Sequence, residues 1–128
     1  MTLDIVSNIL YYRKESKLKT HYFRLYGNII PFIMDGSKTL EVRTSQRFFS
    51  DVEVGDIIVF SHCTCTTRCK VNGIRTYRDF EEMLGTEDPS KIMPGWTSKQ
   101  VLEGLRDLYS RSFEALGVVV FEIKVSTI

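Results

Sequence analysis

The chain has 128 residues, which fits one domain and leaves little room for a second. Hydrophobic residues make up 43% and charged residues 26%, so a core of ordinary size can be buried without a disulfide or metal staple. The formal net charge of +1 excludes strong, indiscriminate binding to phosphate backbones, so any contact with nucleic acid must come from a local patch or a pocket.

Residues 1–19 are predicted to be a leader segment, either helical or flexible. Leu3, Val6 and Leu10 have helical spacing, and a basic stretch follows them. We interpret the segment as a solvated leader in preference to an arm that binds nucleic acid. Residues 20–128 then make up the single domain.

The first half of this domain is predicted to alternate strands with one short helix. The elements in order are a strand at 21–26, a helix at 28–35, a strand at 38–43, a polar connection at 47–54 and a buried strand at 57–60. Asn28 is a good N-cap, and Pro31 suits the first helical turn because its missing N–H is harmless there. Gly36 suits the left-handed residue that ends a helix.

The second half is predicted to contain one hairpin, two helices and a closing strand. The elements in order are a polar hairpin loop at 61–68, a strand at 69–75, a helix at 80–84, a loop at 86–95, a helix at 97–109 and a strand at 118–125. Gly73 is predicted to mark a β-bulge. Thr97 and Gln100 have the spacing of a capping box at the start of the third helix.

This order of elements predicts the fold class. Helices do not alternate regularly with strands, which favours an α+β barrel over a doubly wound parallel sheet. We expect a small mixed β-barrel of about five to six strands with two to three flanking helices.

The cysteines predict the compartment. Cys63, Cys65 and Cys69 are an odd number of thiols, and no secretory signal or membrane-length apolar run is found, so we expect a reducing, cytoplasmic location without membrane contact. Together with His62 these thiols are zinc-ligand types. All four lie in or directly beside one predicted hairpin loop, whereas structural zinc sites tie separate segments, so we predict reduced thiols and no metal.

A motif follows the predicted first helix. Gly36, Lys38, Glu41 and Arg43 match the signature of ASCH domains: glycine, any residue, lysine, two residues, glutamate, any residue, arginine. Blocks at 55–60, 74–84 and 117–123 resemble the family's later segments in the same order. From Thr20 to its C-terminus the chain therefore resembles a single-domain prokaryotic-type member of the ASCH family, in the PUA-like superfamily.

The resemblance implies a PUA-like barrel with a cleft into which the lysine, glutamate and arginine project. Such domains are proposed to bind RNA and to act in RNA metabolism or translation. Some small bacterial members hydrolyse the acetyl amide of acetylated cytidine with a lysine, a threonine and a later glutamate. Lys38 matches the lysine, but Glu41 occupies the threonine position. Pro94 to Trp96 stand where the later glutamate is expected, and Glu87 is the nearest upstream candidate.

The candidate ligand-binding residues are Lys38, Glu41, Arg43, Arg47 and Tyr77. Lys38 suits a phosphate or carbonyl oxygen, and a desolvated lysine would also serve as a base; otherwise it pairs with a carboxylate and holds the turn. Glu41 and Arg43 share one face of a strand, where they form a salt bridge, bind a base and phosphate, or do both. Tyr77 either stacks on a base or packs against the barrel.

Two further features leave alternatives open. Trp96, like Tyr77, is either a stacking platform or a packing residue. Basic residues precede a run of acidic ones, which gives either a positive face or ordinary solvated surface. The basic residues are Arg47, Arg68, Lys70, Arg75 and Arg78, and the acidic residues are Asp79, Glu81, Glu82, Glu87 and Asp88.

Three functions are therefore compared. The first is a module that binds RNA or a nucleoside or nucleotide through a charged cleft. The second is a small amidohydrolase acting on an acylated nucleoside, with Lys38 and Glu41 as catalytic residues. The third is an adaptor for a protein partner. No phosphate-cradling glycine loop, dinucleotide fingerprint or catalytic triad signature is present, so no cofactor is expected.

Overall fold

The computed structural model describes residues 18–127, so the predicted leader segment lies outside the described residues except for its last two. Five strands are described: β1 (Thr20–Arg24), β2 (Leu40–Thr44), β3 (Ile57–His62), β4 (Cys65–Tyr77) and β5 (Val118–Val125). Six helices accompany them: α1 (Ile30–Met34), α2 (Arg47–Ser50), α3 (Phe80–Leu84), α4 (Pro89–Ile92), α5 (Ser98–Leu108) and α6 (Arg111–Glu114). None of the helices in this part of the chain is long and apolar enough to cross a membrane.

The five strands form one curled sheet, an open half-barrel, in the order β1-β3-β4-β5-β2. β1 pairs with β3 in parallel, and the other neighbours are antiparallel. The edge strands β1 and β2 approach each other on the open side, where Arg43 Nη2 donates to the carbonyl oxygen of Arg24 at 3.0 Å. The predicted α+β class is confirmed.

Two hydrophobic clusters fill the fold. The first lies inside the curl of the sheet, and its fully buried side chains include Phe23, Phe60, Val71 and Phe121. The second lies between the sheet and helices α3 to α5, with the buried residues Leu40, Val42, Phe80, Met83, Val101, Leu105, Val118 and Val120. Strand β2 is buried on both faces, because Leu40 and Val42 face the helices while Glu41 and Arg43 face the interior of the curl.

Some local predictions are confirmed and some are wrong. The capping box of Thr97 and Gln100 is present, and the bulge falls between Val71 and Gly73. The predicted hairpin loop at 61–68 is wrong, because cross-strand pairing continues to His62 opposite Cys65 and leaves only a two-residue turn. Asn28 is not the N-cap of α1; Ile29 holds that position without a side-chain hydrogen bond.

Three short helices were not predicted. α2 lies in the predicted polar connection at 47–54, α4 lies in the predicted loop at 86–95, and α6 follows the third predicted helix. Each has four residues, which is too short to give a helical period of apolar residues. α4 and α6 are stabilised locally by side-chain N-caps, with Asp88 accepting from Ser90 N and Ser110 accepting from Phe113 N.

Asp56 fixes the start of the parallel pair β1–β3. This buried carboxylate accepts from the backbone N–H of Lys19 at 3.1 Å and of Glu53 at 2.9 Å, and its Oδ2 lies 2.9 Å from His21 Nε2. Burial raises the pKa of Asp56, but the hydrogen bonds of His21, Glu53 and Lys19 outweigh burial, so the pKa lies below its usual value. The ionised side chain therefore stabilises the fold at neutral pH.

We expect Asp56→Asn to lower the free energy of unfolding at pH 7 by about 1–3 kcal/mol, because an amide replaces a charged hydrogen-bond acceptor. A carboxyl with a lowered folded pKa stabilises above its unfolded pKa and loses this effect as pH falls through the folded pKa. The loss of unfolding free energy caused by Asp56→Asn should therefore be smaller at about pH 3 than at pH 7. Urea unfolding at both pH values checks this, with the exposed Asp51→Asn as control; a deficit independent of pH would contradict it.

Candidate functional site

A cleft of about 300 Å³ opens between the end of β1, strand β2 and helix α5. Its polar wall residues are Lys38, Glu41 and Arg43, and the remaining wall is mostly aliphatic and aromatic. The cleft lies where the sheet curls but does not close, so the charged side chains of β2 reach it from the interior of the half-barrel.

Glu41 and Arg43 form a buried ion pair on β2. Arg43 Nη2 and Nε donate to Glu41 Oε2 at 2.7 and 3.2 Å, and both side chains are more than nine-tenths buried. The guanidinium carbon also lies 4.9 Å from the ring centre of Phe23 and 5.5 Å from that of Phe49. Two residues apart on one strand, the two charged groups share the inner face of the sheet, as the alternation of residues 38–43 predicts.

Lys38 is held at the entrance to β2 with its ammonium group inside the protein. Its Nζ donates to the carbonyl oxygens of Leu40 at 2.6 Å and Ile92 at 2.8 Å, and it lies 3.3 Å from Glu41 Oε1. The side chain is 2% exposed. These three acceptors match the three donors of an ammonium group, so its position is fixed by β2, by α4 and by the carboxylate.

The net charge of the three groups depends on the protonation of Lys38. Burial raises the pKa of Glu41, but Arg43 and Lys38 outweigh it and hold that pKa below its usual value, so the carboxylate is ionised. Burial lowers the pKa of Lys38, and Glu41 offsets only part of this effect. With Lys38 protonated the cluster carries a net charge of +1 under an apolar wall; with Lys38 neutral the net charge is zero.

Aromatic side chains surround this charged floor. Tyr26 is 69% exposed and Trp96 is 42% exposed, while Tyr109 is buried beside Arg43. Burial raises the pKa of Tyr109 to about 12, so its hydroxyl stays protonated. Gly104 on α5 lets the indole lie close to the helix, because a Cβ atom there would stand 3.0 Å from the Trp96 ring. The cleft therefore offers flat apolar surface at its mouth and charge at its floor.

The structure separates the predicted site residues into two groups. Lys38, Glu41 and Arg43 meet in the cleft, whereas Arg47 and Tyr77 do not line it. Arg47 begins the exposed helix α2. The Tyr77 hydroxyl donates to Glu87 Oε2 at 2.5 Å, and its ring packs against the second core cluster.

The candidate later glutamate, Glu87, also lies away from the cleft. Its carboxylate accepts from Arg75 Nε at 2.5 Å and from Nη2 at 3.0 Å, in addition to the Tyr77 hydroxyl. The hydrogen bond from Arg75, aided by that from Tyr77, outweighs burial and holds the pKa of Glu87 below its usual value. Glu87 is a structural ion-pair residue here, and no carboxylate other than Glu41 lines the described part of the cleft.

The residues considered for zinc are dispersed. Cys63 and Cys65 are exposed at the turn, while Cys69 is buried in the first core cluster, where burial raises the pKa of its thiol to about 12. Within residues 18–127 no group of three or more His, Cys, Asp or Glu side chains is placed to hold a metal ion.

Sequence reasoning missed two wall residues, Tyr26 and Tyr109. Tyr26 follows β1 as the last residue of an aromatic-rich strand pattern, and Tyr109 continues the apolar stripe of α5. Periodicity shows which face of an element is apolar, but it does not tell a packed core from the wall of a cleft. Trp96 was named as a stacking or packing residue, and the structure places it at the cleft mouth.

The half-barrel and its cleft define a protein of the PUA-like class, and comparison with known families identifies the group within it. The model of the ASCH domain matches residues 25–126. The chain therefore belongs to the ASCH domain family. No curated protein matches the sequence.

Solved structures agree with this assignment. The hypothetical protein PH0355 is 31% identical, with a TM-score of 0.76 over 85% of this chain and 100% of that one. Protein PF0455 from Pyrococcus furiosus is 25% identical, with a TM-score of 0.69 over 85% of this chain and 99% of that one. An ASCH protein from Zymomonas mobilis is 13% identical, with a TM-score of 0.55 over 82% of this chain and 66% of that one, and it shows the shared fold alone.

We expect Arg43→Ala to lower the free energy of unfolding by about 3–5 kcal/mol, because it leaves the Glu41 carboxylate buried without its main partner. It also removes the link between the two edge strands. The matched control is Arg47→Ala, an exposed arginine whose loss should change stability by no more than about 0.5 kcal/mol. Urea unfolding of both variants measures the difference. Equal, small losses would show that the buried pair does not hold the barrel together.

Proposed function

We propose that this protein binds RNA and holds one unpaired base, or a free nucleoside, in the cleft lined by Lys38, Glu41 and Arg43. The observation that carries the proposal is the cluster of two basic side chains and one carboxylate at the floor of a small cleft with an aromatic mouth. The PUA-like fold of the ASCH family is often proposed to bind RNA, which agrees with this reading.

The size of the cleft supports a single base as its occupant. Its volume of about 300 Å³ lies at the lower end of the range of small-molecule sites, which favours one base over a duplex. Exposed rings of Tyr26 and Trp96 flank the opening, and stacking of a base on an aromatic ring contributes about 1–3 kcal/mol. Sequence-specific RNA recognition generally uses unstacked bases of this kind.

The polar floor supplies both signs of charge for a base edge. Glu41 Oε1 has only the 3.3 Å contact with Lys38, so it is the carboxylate oxygen better placed to accept from an exocyclic amino group such as that of cytosine. The excess positive charge of Lys38 and Arg43 favours a carbonyl oxygen or a phosphate beside it. A base that carries an amino group next to a carbonyl matches both features.

We expect cytidine to quench the fluorescence of Trp96, the single tryptophan of the chain, in a saturable manner. Lys38→Met should raise the Kd about 10-fold, since it removes a positive charge from the cleft floor and a loss of about 1.4 kcal/mol of attraction is a tenfold change in Kd. Fluorescence titration of the wild type and the variant checks both expectations.

The matched control for this titration is Lys99→Met, which removes an exposed lysine of α5 outside the cleft wall. It should bind cytidine as the wild type does. Absence of quenching in the wild type, or an unchanged Kd in Lys38→Met, would contradict a nucleoside site in this cleft.

A second candidate, hydrolysis of an acylated nucleoside, is favoured by one observation. Burial lowers the pKa of Lys38, which increases the fraction of neutral amine that could accept a proton from attacking water. Water would add to the acyl carbon, the C–N bond would break, and the parent nucleoside and a carboxylic acid would leave. Glu41 would carry the proton, since Glu87 lies outside the cleft.

This second candidate makes its own prediction. N4-acetylcytidine should be converted to cytidine by the wild type without any cofactor, and Lys38→Ala should lose the activity. Chromatography of the nucleosides over time measures it. If the wild type binds cytidine but releases none from the acetylated form, the binding function stands and hydrolysis is excluded.

A further inference from the structure

The outward face of the sheet carries cations that the cleft does not use. Exposed residues on β1, β4 and β5 point away from the first core cluster, as the alternating burial of these strands shows. We call this surface the outer sheet face and define it by Tyr22, Arg24, Arg68, Lys70 and Lys124.

Two of these cations face each other. Lys70 on β4 and Lys124 on β5 are direct partners in the antiparallel register. Like charges directly opposite each other destabilise a sheet, because their Cβ atoms lie about 4.5–5.5 Å apart. Among residues 18–127, neither lysine forms an ion pair with a carboxylate. The pair therefore costs stability and has no described partner that would offset this cost.

The arginines of the outer sheet face resemble the lysine pair. Arg24 and Arg68 also lack an ion pair within the described part of the chain. The outward carboxylate on these strands is Glu122, and it binds Arg75 at 3.0 Å. Within residues 18–127 the other exposed carboxylates lie outside these strands, at Asp35, Asp51, Glu53, Glu81, Glu82, Asp88, Glu103 and Asp107. The outer sheet face is therefore more positive than the total charge of +1 indicates.

A small hollow of about 170 Å³ lies beside the lysine pair, lined by Lys70, Asn72, Lys124 and residues 125–127. Two ammonium groups and an amide give several hydrogen-bond donors around one space. This donor set suits the non-bridging oxygens of a phosphate group.

An exposed aromatic ring lies among the cations. Tyr22 is 70% exposed, and the register places it next to Val59, which in turn is next to Arg68. A ring left in solvent between basic side chains is the arrangement on which single-stranded nucleic acids stack while cations follow the backbone. An acidic protein partner would bind through the positive charges alone and would not require an exposed aromatic ring.

The outer sheet face leads to the cleft. Tyr22, Arg24 and Tyr26 alternate along β1 and the residues that follow it, and Tyr26 lines the cleft mouth. The carbonyl oxygen of Arg24 accepts from Arg43 at the cleft floor. A chain that lies along this surface therefore reaches the cleft along β1.

We propose that the outer sheet face binds the sugar–phosphate backbone of single-stranded RNA whose neighbouring base enters the cleft. This inference rests on the proposed function and names a second surface for the same ligand. Lys70, Lys124, Arg68 and Arg24 neutralise phosphates, and Tyr22 stacks on a base outside the cleft.

The test is fluorescence anisotropy with a labelled RNA of about 12 unpaired nucleotides at several salt concentrations. Replacing both Lys70 and Lys124 with alanine should weaken binding and reduce the slope of log K against log salt by about 1.4, because each phosphate contact on a single strand contributes about 0.7. The control carries Lys99→Ala and Arg111→Ala, the same charge change on α5 and α6, and should keep the wild-type slope. Equal slopes in the two double variants would overturn the inference.

A second variant separates binding from folding. Lys124→Glu turns the repulsive pair into an attractive one, so its urea midpoint should rise while its RNA affinity falls, because it changes the net charge by two units, as the double alanine variant does. A midpoint that rises with unchanged RNA affinity would also overturn the inference.

Two measurements distinguish failure of the inference about the outer sheet face from failure of the proposed function. Cytidine titration at Trp96 reports on the cleft alone, so absence of both cytidine and RNA binding would overturn both proposals. Cytidine binding with equal RNA slopes in the two double variants would overturn only the outer sheet face. Polyglutamate that displaces RNA at equal charge concentration would indicate an acidic protein partner and would overturn the RNA assignment of this surface.

Discussion

The buried ion pair between Glu41 and Arg43 is the interaction on which the rest of the structure depends. Through Arg24 it joins the two edge strands of a sheet that does not close by its own hydrogen bonds. Through its stacking on Phe23 and Phe49 it forms part of the first core cluster. The same pair, with Lys38, makes the floor of the cleft. The same charged residues therefore link the two edge strands and form the floor of the cleft.

Such an arrangement is not the most stable solution available to the fold. Burying charges costs free energy of desolvation, and well-packed apolar residues often replace a buried ion pair without loss of stability. Here a second cation, Lys38, is added to a pair that is already balanced, and burial lowers its pKa. The buried Lys38 in an apolar cleft and the paired lysines on the sheet both oppose folding, and both agree with the proposal of a ligand that carries electronegative or anionic groups.

Sequence alone predicted the α+β class, the position of β2 and the presence of Lys38, Glu41 and Arg43 in one cleft, because the spacing of these residues after Gly36 is specific. It could not say whether Glu41 and Arg43 face solvent or interior, since β2 is buried on both sides and alternation separates only two faces. Arg47 and Tyr77 were chosen by residue type and lie elsewhere. Tyr26 and Tyr109 became wall residues through contacts between segments distant in the chain, which no local pattern contains.

The most direct test of the central claim is a ¹H–¹⁵N NMR titration of the full chain with a short single-stranded RNA. Binding as described predicts saturable shifts of the Trp96 indole N–H, of the Arg43 side-chain N–H groups and of the backbone amides of β2. Shifts confined to residues outside the cleft, with these signals unmoved at saturation, would contradict the claim that the charged cleft is where this protein meets its ligand.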